Sequence, residues 1–170
     1  QLLTRSPTHP HLMSQVTNTV RFVLDGKIVE AQGARRTTTV LDYLREQLHR
    51  KGTKEGCAEG DCGACVVMVG SLNASGQGVD YVPVNSCIQL LPTLDGKSVK
   101  TVESLKKPDG TLHPVQQAMV NCHGSQCGFC TPGIVMSLVN LVQNNSSPKR
   151  QDVSDALSGN LCRCTGYAPI

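Results

Sequence analysis

Cysteines are the residues of this 170-residue sequence most suited to chemistry, and eight of the nine fall into two sets of four. The first set has the spacing C-x4-C-x2-C and one more distant cysteine, and comprises Cys57, Cys62, Cys65 and Cys87. The second set has a C-x2-C pair and a distant C-x-C pair, and comprises Cys127, Cys130, Cys162 and Cys164. Sets of four thiolates bind zinc or iron–sulfur clusters, so both sets are predicted metal sites.

The spacing of the first set is that of plant-type [2Fe–2S] ferredoxins. Each iron of such a cluster takes two thiolates beside its two bridging sulfides, so four cysteines are required. A structural zinc site normally uses two C-x2-C pairs, which the first set does not contain. Glycines and charges fill residues 51–65, and glycine lets a backbone wrap closely around a bound group. We therefore predict a [2Fe–2S] cluster at the first set.

The spacing of the second set leaves zinc and an iron–sulfur cluster as equal alternatives. Thr131-Pro132 predicts the start of a helix directly after Cys130. The second pair, Cys162 and Cys164, follows the predicted end of the last helix near Gly159. A helix N-terminus favours nearby negative charge, which suits thiolate ligands. The pattern predicts a second four-thiolate site between helix ends.

The remaining polar candidates have ordinary structural explanations. Cys122 is left without a set and is expected to be a small buried residue on the face of the preceding helix. His113 is near a helix start, His123 follows a helix end, and neither completes a site whose cysteine count is already sufficient. Glu59 and Asp61 are expected to be solvated loop charges or part of a docking face.

The composition argues against several classes of protein. A net charge of +3 with scattered Lys and Arg residues does not suggest a nucleic-acid partner. No apolar run approaches the roughly 18 residues of a membrane helix, and no secretory pattern is present. We therefore expect a cytoplasmic protein, in which grouped cysteines bind metal more often than they form disulfides. With only 3% aromatic residues and no tryptophan, metal binding is expected to contribute to folding.

Strand patterns dominate the first half of the chain. Residues 20–24 and 27–32 flank an Asp25-Gly26 turn and predict a hairpin, and Thr39 predicts the cap of a helix over residues 40–48. Further strands are predicted over 65–69, 79–84 and 98–102, with a turn presenting Cys87 and residues 88–91 packing behind it. The elements of this half must therefore position the first set.

Helical periodicity replaces the strand pattern after a polar linker at residues 106–110. Helices are predicted from His113-Pro114, from Thr131-Pro132 and from Ser147-Pro148. The buried face of the second of these is predicted from its apolar residues, which are Ile134, Val135, Leu138, Val139, Leu141 and Val142. These helices must position the second set.

Four stretches are more specific than cysteine spacing: residues 54–65 (KEGCAEGDCGAC), 113–117 (HPVQQ), 123–133 (HGSQCGFCTPG) and 159–167 (GNLCRCTGY). In this order they closely resemble the iron–sulfur portion of the xanthine dehydrogenase/oxidase family of molybdenum hydroxylases. The resemblance runs from Val20 to the C-terminus, and within the family it is to the N-terminal part of the bacterial xanthine dehydrogenase small subunit. It favours a [2Fe–2S] cluster at the second set as well.

The resemblance implies an α+β fold in two domains. A β-grasp, ferredoxin-like [2Fe–2S] domain is expected over residues 18–104, followed by an all-α helical-bundle [2Fe–2S]-binding domain over 105–170. Residues 1–17 show no periodicity and are expected to be a disordered or artefactual extension, with Met13 as a candidate natural start.

The resemblance also implies a role for each set. In the family, a molybdopterin centre hydroxylates the substrate, and electrons then pass through two clusters to FAD. The second set would bind the cluster nearer molybdenum, with Gln126 and Cys164 against the pterin, and the first set would bind the cluster nearer FAD. The implied partners are a molybdopterin-binding and an FAD-binding subunit or domain, in a hetero-oligomer. The chain alone would be an electron-transfer module and not a complete enzyme.

Glu59-Gly60-Asp61 in the first loop is more typical of xanthine dehydrogenases and favours purine hydroxylation by the whole complex. One alternative is the small subunit of a hydroxylase for aldehydes, carbon monoxide or N-heterocycles. The other is an interaction module that is held together by zinc and has no redox role. Val66 stands where the family usually has Thr or Ser, which removes a hydroxyl near the first cluster but no ligand. The sequence ends at Ile170, so we expect either a truncated piece or a free-standing small subunit.

Overall fold

A five-stranded sheet with several helices makes the fold a mixture of α and β structure in the computed structural model, which describes residues 18–170. The strands are β1 (Thr19–Leu24), β2 (Lys27–Gln32), β3 (Val66–Leu72), β4 (Val79–Asn85) and β5 (Ser98–Lys100). Their order is β2-β1-β5-β3-β4. β1 and β5 are parallel, and the other neighbouring pairs are antiparallel. The expected extension at residues 1–17 lies outside the described residues.

The predicted hairpin is confirmed, and its turn has the backbone that the sequence requires. Asp25 and Gly26 have φ values of 49° and 81°, so both central residues are left-handed, as in a type I′ turn. Leu24 pairs with Lys27 across this turn. The register places Phe22, Leu24 and Ala31 in the core beneath the sheet.

Four helices accompany the sheet within residues 18–170. They are α1 (Val40–Asp42, continued by one π-helical turn, Tyr43–Gln47), α2 (Pro114–Asn121), α3 (Thr131–Asn144) and α4 (Arg150–Ala156). Short 3-10 turns occur at Leu91–Leu94 and Val102–Ser104. Thr39 caps α1 as predicted, because its Oγ1 accepts the N–H of Asp42 at 3.1 Å.

Three element boundaries differ from the sequence prediction by two residues or more. The last strand ends at Lys100, because Thr101 leaves the sheet and its Oγ1 accepts the N–H of Glu103 at the start of a 3-10 turn. β3 continues to Leu72, into the predicted loop. The last helix begins at Arg150 and not directly after Pro148, because the Asp152 carboxylate accepts the N–H of Lys149 at 2.8 Å and fixes the first turn there.

Strand β3 joins two hydrophobic cores, because its successive side chains point to opposite faces of the sheet. Val67 and Val69 belong to the core beneath the sheet, together with α1. Val66 and Met68 belong to a second core formed with α2 and α3. Burial on both faces explains why this strand is a continuous apolar run. The helices of the second half are therefore packed directly on the sheet.

Several predicted burial assignments are wrong. Cys122 is exposed, because it is the C-terminal cap of α2 and lies past the last helical turn. Ile88 and Leu90 are 59% and 41% exposed, and only Leu91 of that segment is fully buried. On α3 the buried face includes Met136, which was not predicted, whereas Val142 near the end of the helix is 39% exposed.

A network of charged groups fixes the start of the first cysteine loop. Arg50 forms ion pairs with Asp25 in the hairpin turn and with Glu103 in the 3-10 turn after β5. The Asp25 carboxylate also accepts the N–H and the hydroxyl of Thr101, at 2.7 and 2.8 Å. Glu103 accepts the N–H of Gly52 at 2.8 Å. These bonds anchor the loop to the sheet immediately before its cysteines.

Within residues 18–170, none of the helices combines the length and the hydrophobicity needed to cross a bilayer.

Candidate metal centres

The first cysteine set lies at one end of the sheet, between α1 and β3. Cys57 and Cys62 are half-buried in the loop, whereas Cys65, which enters β3, and Cys87, in the turn after β4, are buried. Leu41 of α1 packs against Cys65 and Cys87. The set therefore has a buried side against the sheet and a side nearer to solvent.

Two side chains that sequence analysis did not assign to the site hold the turn that presents Cys87. The buried Ser86 hydroxyl donates to the carbonyl of Cys65 at 2.7 Å. The side-chain amide of Asn85 donates to the carbonyl of Gly60 in the cysteine loop at 2.6 Å. Both residues directly precede Cys87, which was the only sequence signal for them. Together they fix the distant cysteine against the loop.

The electrostatic environment differs between the two sides of the first set. Backbone N–H groups of Glu59, Asp61 and Cys62 lower the pKa of Cys57 to about 7. Its Sγ lies 3.3 Å from the N–H of Asp61 and 3.4 Å from that of Cys62. Burial, followed by the neighbouring Cys65 side chain, raises the pKa of Cys87 to about 12. The loop thus directs backbone donors at sulfur, which suits an anionic thiolate group.

The second cysteine set lies where α3 begins and where the chain returns after α4. Cys130 is the N-cap of α3 and is half-buried, and Cys127 precedes it in an exposed loop. Cys162 is buried within the second core, and Cys164 is exposed. The return segment is shaped by Tyr167, whose hydroxyl accepts the N–H of Cys162 at 2.8 Å.

The pKa values of the second set follow its burial and its hydrogen bonds. Burial, followed by hydrogen bonding to Cys162, raises the pKa of Cys130 to about 11. Burial also raises that of Cys162, but hydrogen bonds from the Thr165 side chain and backbone outweigh this effect and lower the pKa to about 7. Donation from the backbone of Phe129 lowers the pKa of Cys127. Thr165 and Tyr167 were not predicted as part of the site, although both lie in the 159–167 stretch.

In both sets the thiols influence one another's pKa. In the first set, Cys87 interacts with Cys65 and Cys57, and Cys57 with Cys62. In the second set, Cys127 interacts with Cys164 and Cys162, and Cys130 with Cys162 and Cys127. A [2Fe–2S] cluster takes four thiolates, so four interacting thiols in each set fit such a group. Among residues 18–170, no group of three or more His, Cys, Asp or Glu side chains is arranged so that it could hold a metal ion.

Backbone contacts join the two cysteine loops directly. The carbonyl of Cys62 accepts the N–H of Leu161, the neighbour of Cys162, at 3.0 Å. The next carbonyl, that of Gly63, accepts the side-chain amide of Asn160 at 3.2 Å. Gly133 of α3 also lies against Gly63, so that a Cβ added to Gly133 would be only 2.0 Å from this carbonyl oxygen. The two candidate centres are therefore adjacent and fixed to each other.

The other predicted residues lie outside the two sets of thiols. Gln126 is exposed next to Cys127, and Glu59 and Asp61 are exposed on the first loop. Cys122 belongs to neither set. The exposed side of the second set is thus formed by Gln126, Cys127 and Cys164.

Comparison with known proteins identifies both cysteine regions. Residues 22–88 match the family model described as "2Fe-2S iron-sulfur cluster binding domain", and residues 101–170 match "[2Fe-2S] binding domain". Aldehyde oxidase 4 of Cavia porcellus is 46% identical over 149 residues, which are 88% of this chain and 11% of that protein. Xanthine dehydrogenase of Drosophila subobscura is 45% identical over 156 residues, which are 92% of this chain and 12% of that protein.

A solved structure with similar chain length gives the decisive match. It is quinoline 2-oxidoreductase from Pseudomonas putida 86, with 33% identity and a TM-score of 0.76. The alignment covers 89% of this chain and 86% of that one.

The chain belongs to the molybdenum hydroxylase family, as its iron–sulfur region.

Membership of the molybdenum hydroxylases confirms the predicted resemblance and establishes the chain as the iron–sulfur part of an oxidoreductase. Its two [2Fe–2S]-binding regions make it an electron-transfer module. The chain spans about 11% of the length of the first of these relatives. Relatives named for aldehyde and for xanthine match equally well, at 46% and 45% identity, and favour neither substrate.

Proposed function

We propose that this chain carries electrons from a molybdopterin centre to FAD within a xanthine dehydrogenase-like molybdenum hydroxylase. In this proposal the first set, Cys57, Cys62, Cys65 and Cys87, holds one [2Fe–2S] cluster. The second set, Cys127, Cys130, Cys162 and Cys164, holds the other. Each cluster, when bound, would accept and release one electron at a time.

The observation that carries the proposal is the direct contact between the two cysteine loops. The N–H of Leu161, which is next to Cys162 of the second set, donates to the carbonyl of Cys62 of the first set at 3.0 Å. Two isolated metal sites that only stabilised separate domains would need no such contact. A relay needs its two centres close and at a fixed separation, which this contact supports.

The direction of the relay is proposed from exposure and from the family pattern. The exposed side of the second set, with Gln126 and Cys164, would face the molybdopterin-binding partner. The half-buried side of the first set, at Cys57, would face the FAD-binding partner. Backbone donors to the Cys57 sulfur would stabilise negative charge at this end and so influence the potential.

Several finer features are part of the same proposal. The sheet would be a β-grasp, ferredoxin-like domain over residues 18–104, and the helices a bundle domain over 105–170. The partners would be separate subunits or domains, and the complete enzyme a hetero-oligomer in the cytoplasm. We propose purines as the substrates, on the Glu59-Gly60-Asp61 pattern in the first loop. A quinoline oxidoreductase with a similar chain keeps N-heterocycles as the second candidate class.

Rapid injection of electrons into the cluster-containing chain tests the relay. A photogenerated reductant, added in less than one equivalent, should reduce the more accessible centre first. The absorbance and EPR signals should then change as the electron redistributes to the centre of higher potential. Identical signals at early and late times, in a chain with two clusters of different potential, would contradict a relay.

A further inference from the structure

Asn160 is a buried side chain placed between the two cysteine sets, and none of the roles described so far requires it. It is 4% exposed and directly precedes Leu161 and Cys162. Its Oδ1 accepts the hydroxyl of Ser137, itself 5% exposed, at 2.8 Å. Its Nδ2 donates to the carbonyl of Gly63 at 3.2 Å. The carboxamide thus joins α3, the second set and the loop of the first set.

We propose that Asn160 is a positioning residue that fixes the separation between the two clusters. The inference rests on the proposed function, in which both cysteine sets hold clusters. The amide oxygen of Asn160 accepts the Ser137 hydroxyl, so the amide nitrogen is the end that faces Gly63. One end of the Asn160 amide is bonded to α3 and the other to the first cysteine loop. The side chain therefore holds that loop at a fixed position relative to α3.

The contact lies next to a cysteine of each set. Gly63 follows Cys62, and Asn160 lies two residues before Cys162. Gly133 closes the other side of the Gly63 carbonyl, because any Cβ there would overlap its oxygen. The Gly63 carbonyl therefore lies between the Asn160 amide and the backbone of α3 at Gly133. Loss of the donor removes one hydrogen bond between the loops and keeps that from Leu161 to Cys62, so the first loop should shift relative to Cys162 without detaching.

Asn160→Asp is the variant that tests this role. Aspartate has nearly the same size and keeps an oxygen for the Ser137 hydroxyl, but it replaces the donor to Gly63 with a second oxygen. Two acceptors facing each other in a buried site repel, so the loop should move away. The readout is the magnetic interaction between the two reduced clusters, seen as splitting of their EPR signals at low temperature. We expect each cluster to keep its own signal and the splitting to be reduced or lost.

Asn140→Asp is a matched control. Asn140 is a half-buried amide of α3 that donates to the carbonyl of Tyr81 in β4 at 2.9 Å. It therefore joins the helices to the sheet in the same way, but it touches neither cysteine loop. We expect the EPR splitting of Asn140→Asp to equal that of the unmodified chain.

A milder variant covers the case in which Asn160→Asp does not fold. Ser137→Ala keeps the donor to Gly63 and removes only the hydroxyl that orients it. A partial decrease in splitting is expected for Ser137→Ala, and an unchanged splitting would count against the role.

The outcomes separate the inference from the proposed function. Unchanged splitting in Asn160→Asp, with both clusters present, would overturn the role of Asn160 and leave the two-cluster proposal intact. Equal loss of splitting in Asn160→Asp and Asn140→Asp would also overturn it, because any loosening of the helices would then suffice. An unmodified chain without two clusters would overturn both.

Discussion

Replacing Gly133 with alanine is expected to lower the melting temperature of the cluster-containing chain by about 6–12 °C. A Cβ at Gly133 would lie 2.0 Å from the carbonyl oxygen of Gly63 and 3.1 Å from the Cα of Ala64. Both contacts are with backbone, so no side chain can rotate away. Overpacking of this kind costs about 3 kcal/mol, and a chain of this length loses about 2–4 °C per kcal/mol.

Gly159→Ala provides the control for Gly133→Ala. Gly159 also lies between the two cysteine regions, but a Cβ there would have no heavy atom within 4 Å. The melting temperature of Gly159→Ala is expected to differ little from that of the unmodified chain. The measurement is the loss of visible circular dichroism on heating, at one scan rate for all variants. Equal melting temperatures for Gly133→Ala and the unmodified chain would show that the first loop does not lie against α3.

Replacing Cys164 with serine is expected to abolish the signal of the second [2Fe–2S] cluster and to leave that of the first. Cys164 interacts with Cys127 and belongs only to the second set. The four cysteines of the first set lie in a different loop and in the turn after β4. Because the sets share no side chain, the loss of one thiolate should not remove the ligands of the other. The measurement is EPR of the reduced variant together with its iron content.

Cys122→Ser is the matched control for Cys164→Ser. Cys122 is an exposed cysteine of the same half of the chain and belongs to neither set. Both cluster signals should persist in this variant at full intensity. Simultaneous loss of both signals in Cys164→Ser would contradict two independent sites, and loss of either in Cys122→Ser would contradict the ligand assignment.

Cysteine spacing allowed the candidate centres to be predicted because the short runs at 57–65, 127–130 and 162–164 are local patterns. The same holds for the hairpin, whose Asp25-Gly26 turn needs only two left-handed residues, and for Thr39, whose hydroxyl caps a helix three residues away. These features depend on neighbours in the sequence, so a single sequence is sufficient to find them.

The contact between the loops could not be predicted, because it joins distant residues. Asn160 and Gly63 are 97 positions apart, and nothing in either stretch indicates its partner. The prediction that Cys122, at the end of a helix, is buried failed for the same reason. Cys122 follows an apolar helix face, but it caps α2 and is turned to solvent. Helical periodicity predicts burial only within a helix, and tertiary packing decides it at the ends.

The most direct test of the central claim is the content of iron and acid-labile sulfide per chain, measured on anaerobically purified protein with EPR of the reduced sample. The account predicts about four irons and four sulfides per chain, with two distinct [2Fe–2S] signals. Zinc in place of iron, with no visible absorbance and no EPR signal, would contradict it. The cysteines of both sets would then be structural ligands, and the electron-transfer role would be wrong.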